Sequence, residues 1–74
     1  MTIGIMIRHL AELGWYVQEI RRVHDVTRDR YVWRCQLGRL GHNHITAATR
    51  PDLLEAVRAA YIMATHDGEA PCVA

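Results

Sequence analysis

The chain has 74 residues, half of them hydrophobic, and a formal net charge of +1 at pH 7. This length accommodates one domain with a modest core, and the composition excludes a disordered polar segment. The near-zero net charge predicts no bulk attraction to nucleic acid or to a membrane surface. Serine and lysine are absent from the sequence, which excludes both as catalytic nucleophiles.

Cysteine usage and the N-terminus indicate a location. Cys35 and Cys72 do not form the pattern of a disulfide framework. The N-terminus lacks the basic region of a secretory signal, and no apolar run approaches the length of a membrane span. We therefore expect a cytoplasmic protein with no membrane partner. It should consist of a single domain over residues 1–68 and a flexible tail over residues 69–74.

The first predicted element is a helix over residues 2–13. Its apolar residues recur at helical spacing, and Thr2 and Gly14 suit the N-cap and the left-handed residue after the last turn. A short strand over residues 2–7 remains the alternative, because Gly4 weakens a helix and the segment is rich in β-branched residues. The predicted buried stripe comprises Ile3, Met6, Ile7, Leu10 and Leu13, and leaves Ile5 outside.

Residues 31–37 predict the central strand of a small sheet. Their side chains alternate between an apolar and a polar side, the period of a half-buried strand. Tyr31, Trp33, Cys35 and Leu37 are predicted to face the core, with Val32, Arg34 and Gln36 on the opposite side.

Two further strands flank the central one. In residues 15–23, Trp15 and Val17 start an alternation that Glu19 breaks. This predicts either a bulge near Gln18 or a Glu19 side chain that points inward toward an arginine. A polar connection over residues 24–30 follows. After a glycine turn at residues 38–41, the third strand is predicted over residues 42–48, with Ile45 and Ala47 inward.

The second predicted helix starts at Thr49-Arg-Pro-Asp52. The Thr49 hydroxyl is expected to accept from first-turn amides, and Pro51 and Asp52 suit the first turn. The helix should end near residue 65. Its predicted buried stripe comprises Leu54, Val57, Tyr61 and Ala64.

These elements predict an α+β fold of order helix-strand-strand-strand-helix. Each helix has one apolar stripe and the sheet has one apolar face. We therefore expect two layers, a three-stranded antiparallel sheet of order 1-2-3, and both helices on one face. The opposite face should be exposed, and should carry Tyr16, Gln18, Arg22, Arg34, Gln36, His44 and Thr46.

The charge is uneven along the chain. Residues 19–39 hold six arginines and three carboxylates, a local balance of +3, whereas the remainder balances to −2. Arginine, glutamine, histidine and tyrosine bind phosphates and base edges, or acidic protein surfaces. The predicted binding residues are Tyr16, Arg22, Arg28, Arg30, Arg34, Gln36 and His44.

No motif predicts catalysis, a metal or a cofactor. His42 and His44 lie two apart on a predicted strand, a workable pair of metal ligands, but no third ligand is near them in sequence. We interpret them as solvent-facing. The turn at residues 38–41 lacks the strand-to-helix context of a phosphate loop, and the strand pattern buries Cys35 away from a role as nucleophile.

The predicted order of helices and strands resembles two nucleic-acid-binding folds. The element order looks like that of the double-stranded-RNA-binding domain, although Pro51, Asp52 and Glu55 stand where that family places a basic cluster. Residues 31–61 are similar in pattern to the three-strand-plus-helix DNA-binding modules of phage integrases and some plant transcription factors. The second resemblance implies that an Arg-rich sheet face contacts DNA or RNA directly.

As a class, the chain also resembles the small inhibitors encoded by phages, such as anti-CRISPR proteins. This resemblance implies docking on a host protein or ribonucleoprotein complex and a block of DNA recruitment. A homodimer is expected in addition, because small sheets have open edges and Ile5 and Ile62 lie outside the buried stripes.

Overall fold

The computed structural model describes the backbone of residues 2–69 and the side chains of residues 2–66. Helix α1 (Ile3–Glu12) precedes strands β1 (Trp15–Asp25), β2 (Arg30–Arg39) and β3 (Ile45–Arg50), and helix α2 (Leu53–Glu69) follows. The strands form one antiparallel sheet in the order β1-β2-β3, which confirms the predicted α+β fold. Residues 70–74, with Cys72 and most of the predicted tail, lie outside the described residues.

Helix α1 forms as the capping pattern predicts, so the alternative of a strand over residues 2–7 is wrong. The Thr2 hydroxyl accepts a hydrogen bond from the Ile5 amide at 3.2 Å, and Gly14 takes a φ of 88° after the last turn. Met6 and Leu10 are buried against the sheet and α2, whereas Leu13, placed in the stripe by the sequence, is 44% exposed.

Strand β1 contains the bulge that the sequence offered as one of two alternatives. Val17 pairs with Leu37, but the next pair is Glu19 with Gln36, so Gln18 is an extra residue in β1. Beyond the bulge the alternation is reversed. Arg22 therefore pairs with Trp33 on the helix side of the sheet, and its predicted place on the opposite face is wrong.

Strand β3 begins three residues later than predicted and has the opposite alternation. Thr46 pairs with Leu37 and Ala48 with Cys35, so Thr46 and Ala48 face the helices and are buried. Ile45, predicted to face the core, lies instead on the outer side of the sheet and is 56% exposed. Ala47 is on that outer side as well. The run from Ile45 to Thr49 has little contrast between apolar and polar residues, so its pairing with β2 decides which face is buried.

Helix α2 packs on the sheet through small residues. Ala56, Val57, Ala60 and Ala64 are fully buried, whereas Leu54, predicted to be buried, is 37% exposed. Small side chains allow the helix to approach Thr46 and Ala48 closely, which explains why the smaller residues are inside. Tyr61 is only half-buried at the edge of this contact.

Both ends of α2 differ from the prediction. An Asp52 carboxylate oxygen accepts a hydrogen bond from the Glu55 amide at 3.3 Å, so Asp52 provides the capping contact assigned to Thr49, which lies in β3. The helix continues to Glu69 instead of ending near residue 65. No helix among the described residues is long and apolar enough to cross a membrane.

The core lies between the helices and one face of the sheet. Trp15, Leu37 and Cys35 contribute from the strands and pack with Met6 and Leu10 of α1. Burial raises the pKa of the Cys35 thiol, which keeps it protonated and unreactive at neutral pH. Trp33 is partly buried against this core. Tyr31, predicted to face inward, is 58% exposed, and it lies in the part of β2 that extends beyond the pairing with β3.

The two tryptophans should therefore differ in their contributions to stability. Trp15→Ala removes a side chain that is 2% exposed, and we expect it to cost about 3–5 kcal/mol, enough to unfold a small domain. Trp33→Ala should cost less, about 0.5–3 kcal/mol, because part of that side chain already contacts solvent. Urea denaturation followed by far-UV circular dichroism measures both. A Trp15→Ala protein as stable as the parent would contradict this packing.

Candidate functional site: the open sheet face

The sheet face that points away from both helices carries the candidate site, and we call it the open face. The pairing of the strands aligns Arg21 of β1 with Arg34 of β2 and Thr49 of β3 on this face. Because directly paired residues project to the same side of a sheet, the pairing alone places these three side chains in one row across the strands.

Four side chains of the open face are joined by hydrogen bonds, and we call them the polar row: Tyr16, Gln18, Gln36 and Arg34. Arg34 Nη2 donates to Gln36 Oε1 at 3.1 Å, and Gln36 Nε2 donates to Gln18 Oε1 at 2.6 Å. Gln18 Nε2 in turn donates to the Tyr16 hydroxyl at 3.1 Å. The structure thus places together three of the predicted binding residues, Tyr16, Arg34 and Gln36.

A glycine makes room for the end of the polar row. Gly38 pairs with Tyr16 across the strands, and the Tyr16 ring lies over it. A Cβ atom at Gly38 would approach the Tyr16 hydroxyl oxygen to 2.7 Å and Gln18 Nε2 to 2.9 Å, closer than side chains tolerate. Because Gly38 has no side chain, the Tyr16 ring can lie over this residue, where its hydroxyl reaches Gln18.

The charges of the open face are mixed. Arg21, Arg30 and Arg34 lie on it together with Glu19 and Asp25. Arg21 Nε is 3.7 Å from a Glu19 carboxylate oxygen, an exposed ion pair of small energetic value. The face is therefore positive by one charge and is not a strongly basic surface.

Apolar side chains lie beside the polar row. Val23 and Val32 pair on the open face, and Val32 is only 6% exposed although it lies outside the helix-side core. Ile45 is opposite Gly38 on the same face and is 56% exposed. The sequence pattern put Val32 on the polar side and Ile45 in the core. The predicted face of Val32 agrees with the structure, although its burial was not expected, whereas the predicted face of Ile45 is wrong.

The turn end of the β1–β2 hairpin carries the other predicted arginines, Arg22, Arg28 and Arg30. The Arg22 guanidinium lies 4.7 Å from the centre of the Tyr31 ring on the helix side, so Arg22 is separate from the polar row. Arg30 pairs with Asp25 at the start of β2, on the open face. Arg28 lies in the turn, where its amide donates to the Asp25 carboxylate at 3.4 Å.

His44 does not lie on the open face, contrary to the prediction. It precedes β3, and its ring packs edge-on against Trp15 with 5.6 Å between ring centroids. His42 and His44 are both in the loop before β3, so the pairing of two histidines along a strand does not occur. Among the described residues, no group of three His, Cys, Asp or Glu side chains is placed to hold a metal ion.

Comparison of the chain with protein-family models, with curated proteins and with solved structures finds no match.

The geometry of the polar row can be tested by a substitution at Gly38, which leaves the four residues of the row unchanged. We expect Gly38→Ala to displace Tyr16 and Gln18 and to break their hydrogen bond, because the new methyl group occupies the position of the Tyr16 ring. Only the ends of two exposed side chains have to move, so the stability should change by no more than about 1 kcal/mol. Side-chain amide resonances of Gln18 and Gln36 measure the change by NMR. Spectra that match those of the parent would contradict the geometry of the polar row.

Proposed function

We propose that the protein is a non-enzymatic inhibitor of the phage-encoded, anti-CRISPR-like type. It docks through the open face on a host nucleic-acid-handling complex in the cytoplasm and blocks the recruitment of target DNA. The observation that carries the proposal is the polar row, a preorganised set of Tyr16, Gln18, Gln36 and Arg34 beside exposed apolar residues.

The composition of the open face supports a protein partner. Tyrosine and arginine are enriched in the centres of protein interfaces, and here they lie next to Ile45, which is 56% exposed. Hydrogen bonds between Arg34 and Gln36, and between Gln36 and Gln18, already restrain long side chains. A partner therefore binds with a smaller loss of side-chain entropy than it would on an unrestrained surface.

The charge of the chain also favours a protein partner. Phosphate neutralisation supplies most of the affinity of a direct nucleic-acid binder, which usually requires a strongly basic surface. The open face carries Glu19 and Asp25 together with its three arginines, and the whole chain has a net charge of +1. Such a surface fits a partner surface of mixed charge better than a phosphate backbone.

Direct binding of DNA or RNA is the second candidate, and one observation favours it. Arg34, Gln18 and Gln36 are adjacent on one sheet face, and these residue types form bidentate contacts with guanine and adenine edges. A three-stranded sheet backed by a helix is also the arrangement implied by the resemblance to integrase modules. In this alternative Arg21 and Arg30 contact phosphates.

The central prediction concerns Arg34. We expect Arg34→Glu to abolish recovery of the partner complex in a pull-down from host lysate, because it reverses the charge at one end of the polar row. The domain should remain folded, since the Arg34 side chain is only partly buried. Arg58→Glu is the matched control, because Arg58 is an exposed arginine of α2, outside the open face. It makes the same charge change and should leave recovery intact.

The complex recovered must be identified and then assayed for the recruitment of target DNA with and without the protein. Inhibition by the parent and by Arg58→Glu, but not by Arg34→Glu, supports the proposal. Gel-shift assays with duplex and single-stranded DNA at physiological salt separate the two candidates. Tight binding there, with affinity that falls steeply as salt rises, would favour direct nucleic-acid recognition instead.

A homodimer is part of the proposal. Ile5 of α1 is 54% exposed and Ile62 of α2 is 45% exposed, and burial in a dimer would remove both from water. We expect multi-angle light scattering to give the mass of two chains at high micromolar concentration, and Ile62→Asp to shift it toward one. The mass of a single chain for the parent protein at that concentration would refute the dimer.

A further inference from the structure

A cavity lies on the helix side of the sheet, away from the open face. It has a volume of about 300 Å³ and opens where the last turn of α1, the second half of α2 and the adjoining ends of β1 and β2 meet. This volume is at the lower end of the range of small-molecule sites. Trp15, Leu13 and Ala64 supply apolar walls, and the remaining lining residues are polar or charged.

The backbone fixes the charged wall of this cavity. Arg39 is the residue paired with Trp15 in the sheet, and its guanidinium lies 5.7 Å from the centre of the Trp15 ring. The Leu40 amide donates to the Gly14 carbonyl at 2.7 Å, and the Arg39 amide donates to the His44 carbonyl at 3.2 Å. The position of Arg39 beside the tryptophan is therefore set by main-chain hydrogen bonds on both sides of it.

Arg39 has no counter-ion among the side chains that the structure describes, residues 2–66. No carboxylate of these residues lies within 4.0 Å of its guanidinium, and the cavity lining contains no acidic residue. Within residues 2–66, the cavity therefore combines a positive charge that has no counter-ion with apolar walls. An anion bound there gains a charge-assisted contact with the Arg39 guanidinium.

Polar side chains of the helices line the same cavity as Arg39. His9 Nδ1 of α1 lies 2.5 Å from the Tyr61 hydroxyl of α2, and both side chains line the cavity. The Thr65 hydroxyl donates to the Tyr61 carbonyl at 3.0 Å, so Thr65 is engaged by its own helix. When His9 Nδ1 carries the proton, it donates to the Tyr61 oxygen, and the Tyr61 hydroxyl then donates its own hydrogen to an anion held by Arg39.

We propose that this cavity, which is lined by Arg39, Trp15 and the His9–Tyr61 pair, binds a small aromatic carboxylate. The carboxylate meets Arg39 and the ring contacts Trp15, Leu13 and Ala64. The volume of about 300 Å³ admits one ring with an acid group. This site is independent of the open face and of the partner that binds there.

Benzoate is the probe, with benzyl alcohol as a neutral molecule of similar shape, each titrated into the full chain and followed by NMR. We expect saturable shifts with benzoate at the indole resonance of Trp15 and at Ala64, but not at the indole of Trp33, which lies outside the cavity. Benzyl alcohol should bind at least about tenfold more weakly, because it lacks the charge that Arg39 recognises.

Variants locate the charge contact. Arg39→Gln should weaken benzoate binding by about tenfold or more, and Tyr61→Phe by about two- to fivefold through loss of one hydrogen bond. Arg58→Gln, a charge loss on α2 outside the cavity, should change it by less than about twofold. Equal binding of the two probes, or benzoate binding unchanged in both Arg39→Gln and Tyr61→Phe, would overturn the proposal.

Discussion

The extra residue at Gln18 decides which side chains of β1 meet the helices and which meet solvent. Before it, Trp15 and Val17 face the core, and after it the pairing places Ile20 opposite Cys35 on that same side. An unbulged strand would turn Ile20 outward. The insertion also puts two consecutive residues, Gln18 and Glu19, opposite the single residue Gln36, which is how Gln18 comes within hydrogen-bonding distance of it.

The same insertion decides which of two neighbouring arginines lies on the open face and which lies on the helix side, because consecutive residues of a strand always point to opposite faces. Arg21 lies on the open face opposite Arg34, whereas Arg22 lies on the helix side over Tyr31. The bulge was predictable, because Glu19 breaks the alternation and one extra residue restores it. After the bulge, however, every residue of β1 changes face. The prediction for Arg22 was wrong because it assigned this residue to a face as if β1 had no bulge.

How far the sequence predicts the fold depends on the contrast within each segment. Residues 31–37 alternate strongly, and the predicted faces of Cys35, Leu37, Arg34 and Gln36 agree with the structure. In β3 the contrast is weak, and two small residues, Thr46 and Ala48, are inside because α2 presents alanines to them. Ile45 is more hydrophobic than either residue, but the close packing of α2 on the sheet determines which residues of β3 are buried.

The residues of the candidate site were also predictable only where the sequence alternates clearly between apolar and polar residues. Tyr16, Arg34 and Gln36 were predictable, since they lie on segments with clear alternation or before the bulge. The placement of His44 depended on a strand start that is three residues too early, and the cavity beside Arg39 depends on contacts between α1, α2 and the sheet that no single segment contains. Local patterns predict faces of elements, whereas sites formed between elements require their packing.

The hydrogen bonds within the polar row also affect what it can discriminate. Because Gln36 and Gln18 already satisfy each other, a partner gains little from contacts that merely replace these bonds, and loses where it leaves one of them unpaired in a buried interface. Under the proposed function, the row would therefore reject surfaces that do not match its order of donors and acceptors more strongly than it would attract those that do. Affinity would then have to come largely from apolar surface, namely Ile45 and the ring of Tyr16, which are 56% and 42% exposed in the isolated chain. In a specific protein interface a few buried apolar contacts supply most of the free energy, and the proposal assigns that part to these two side chains.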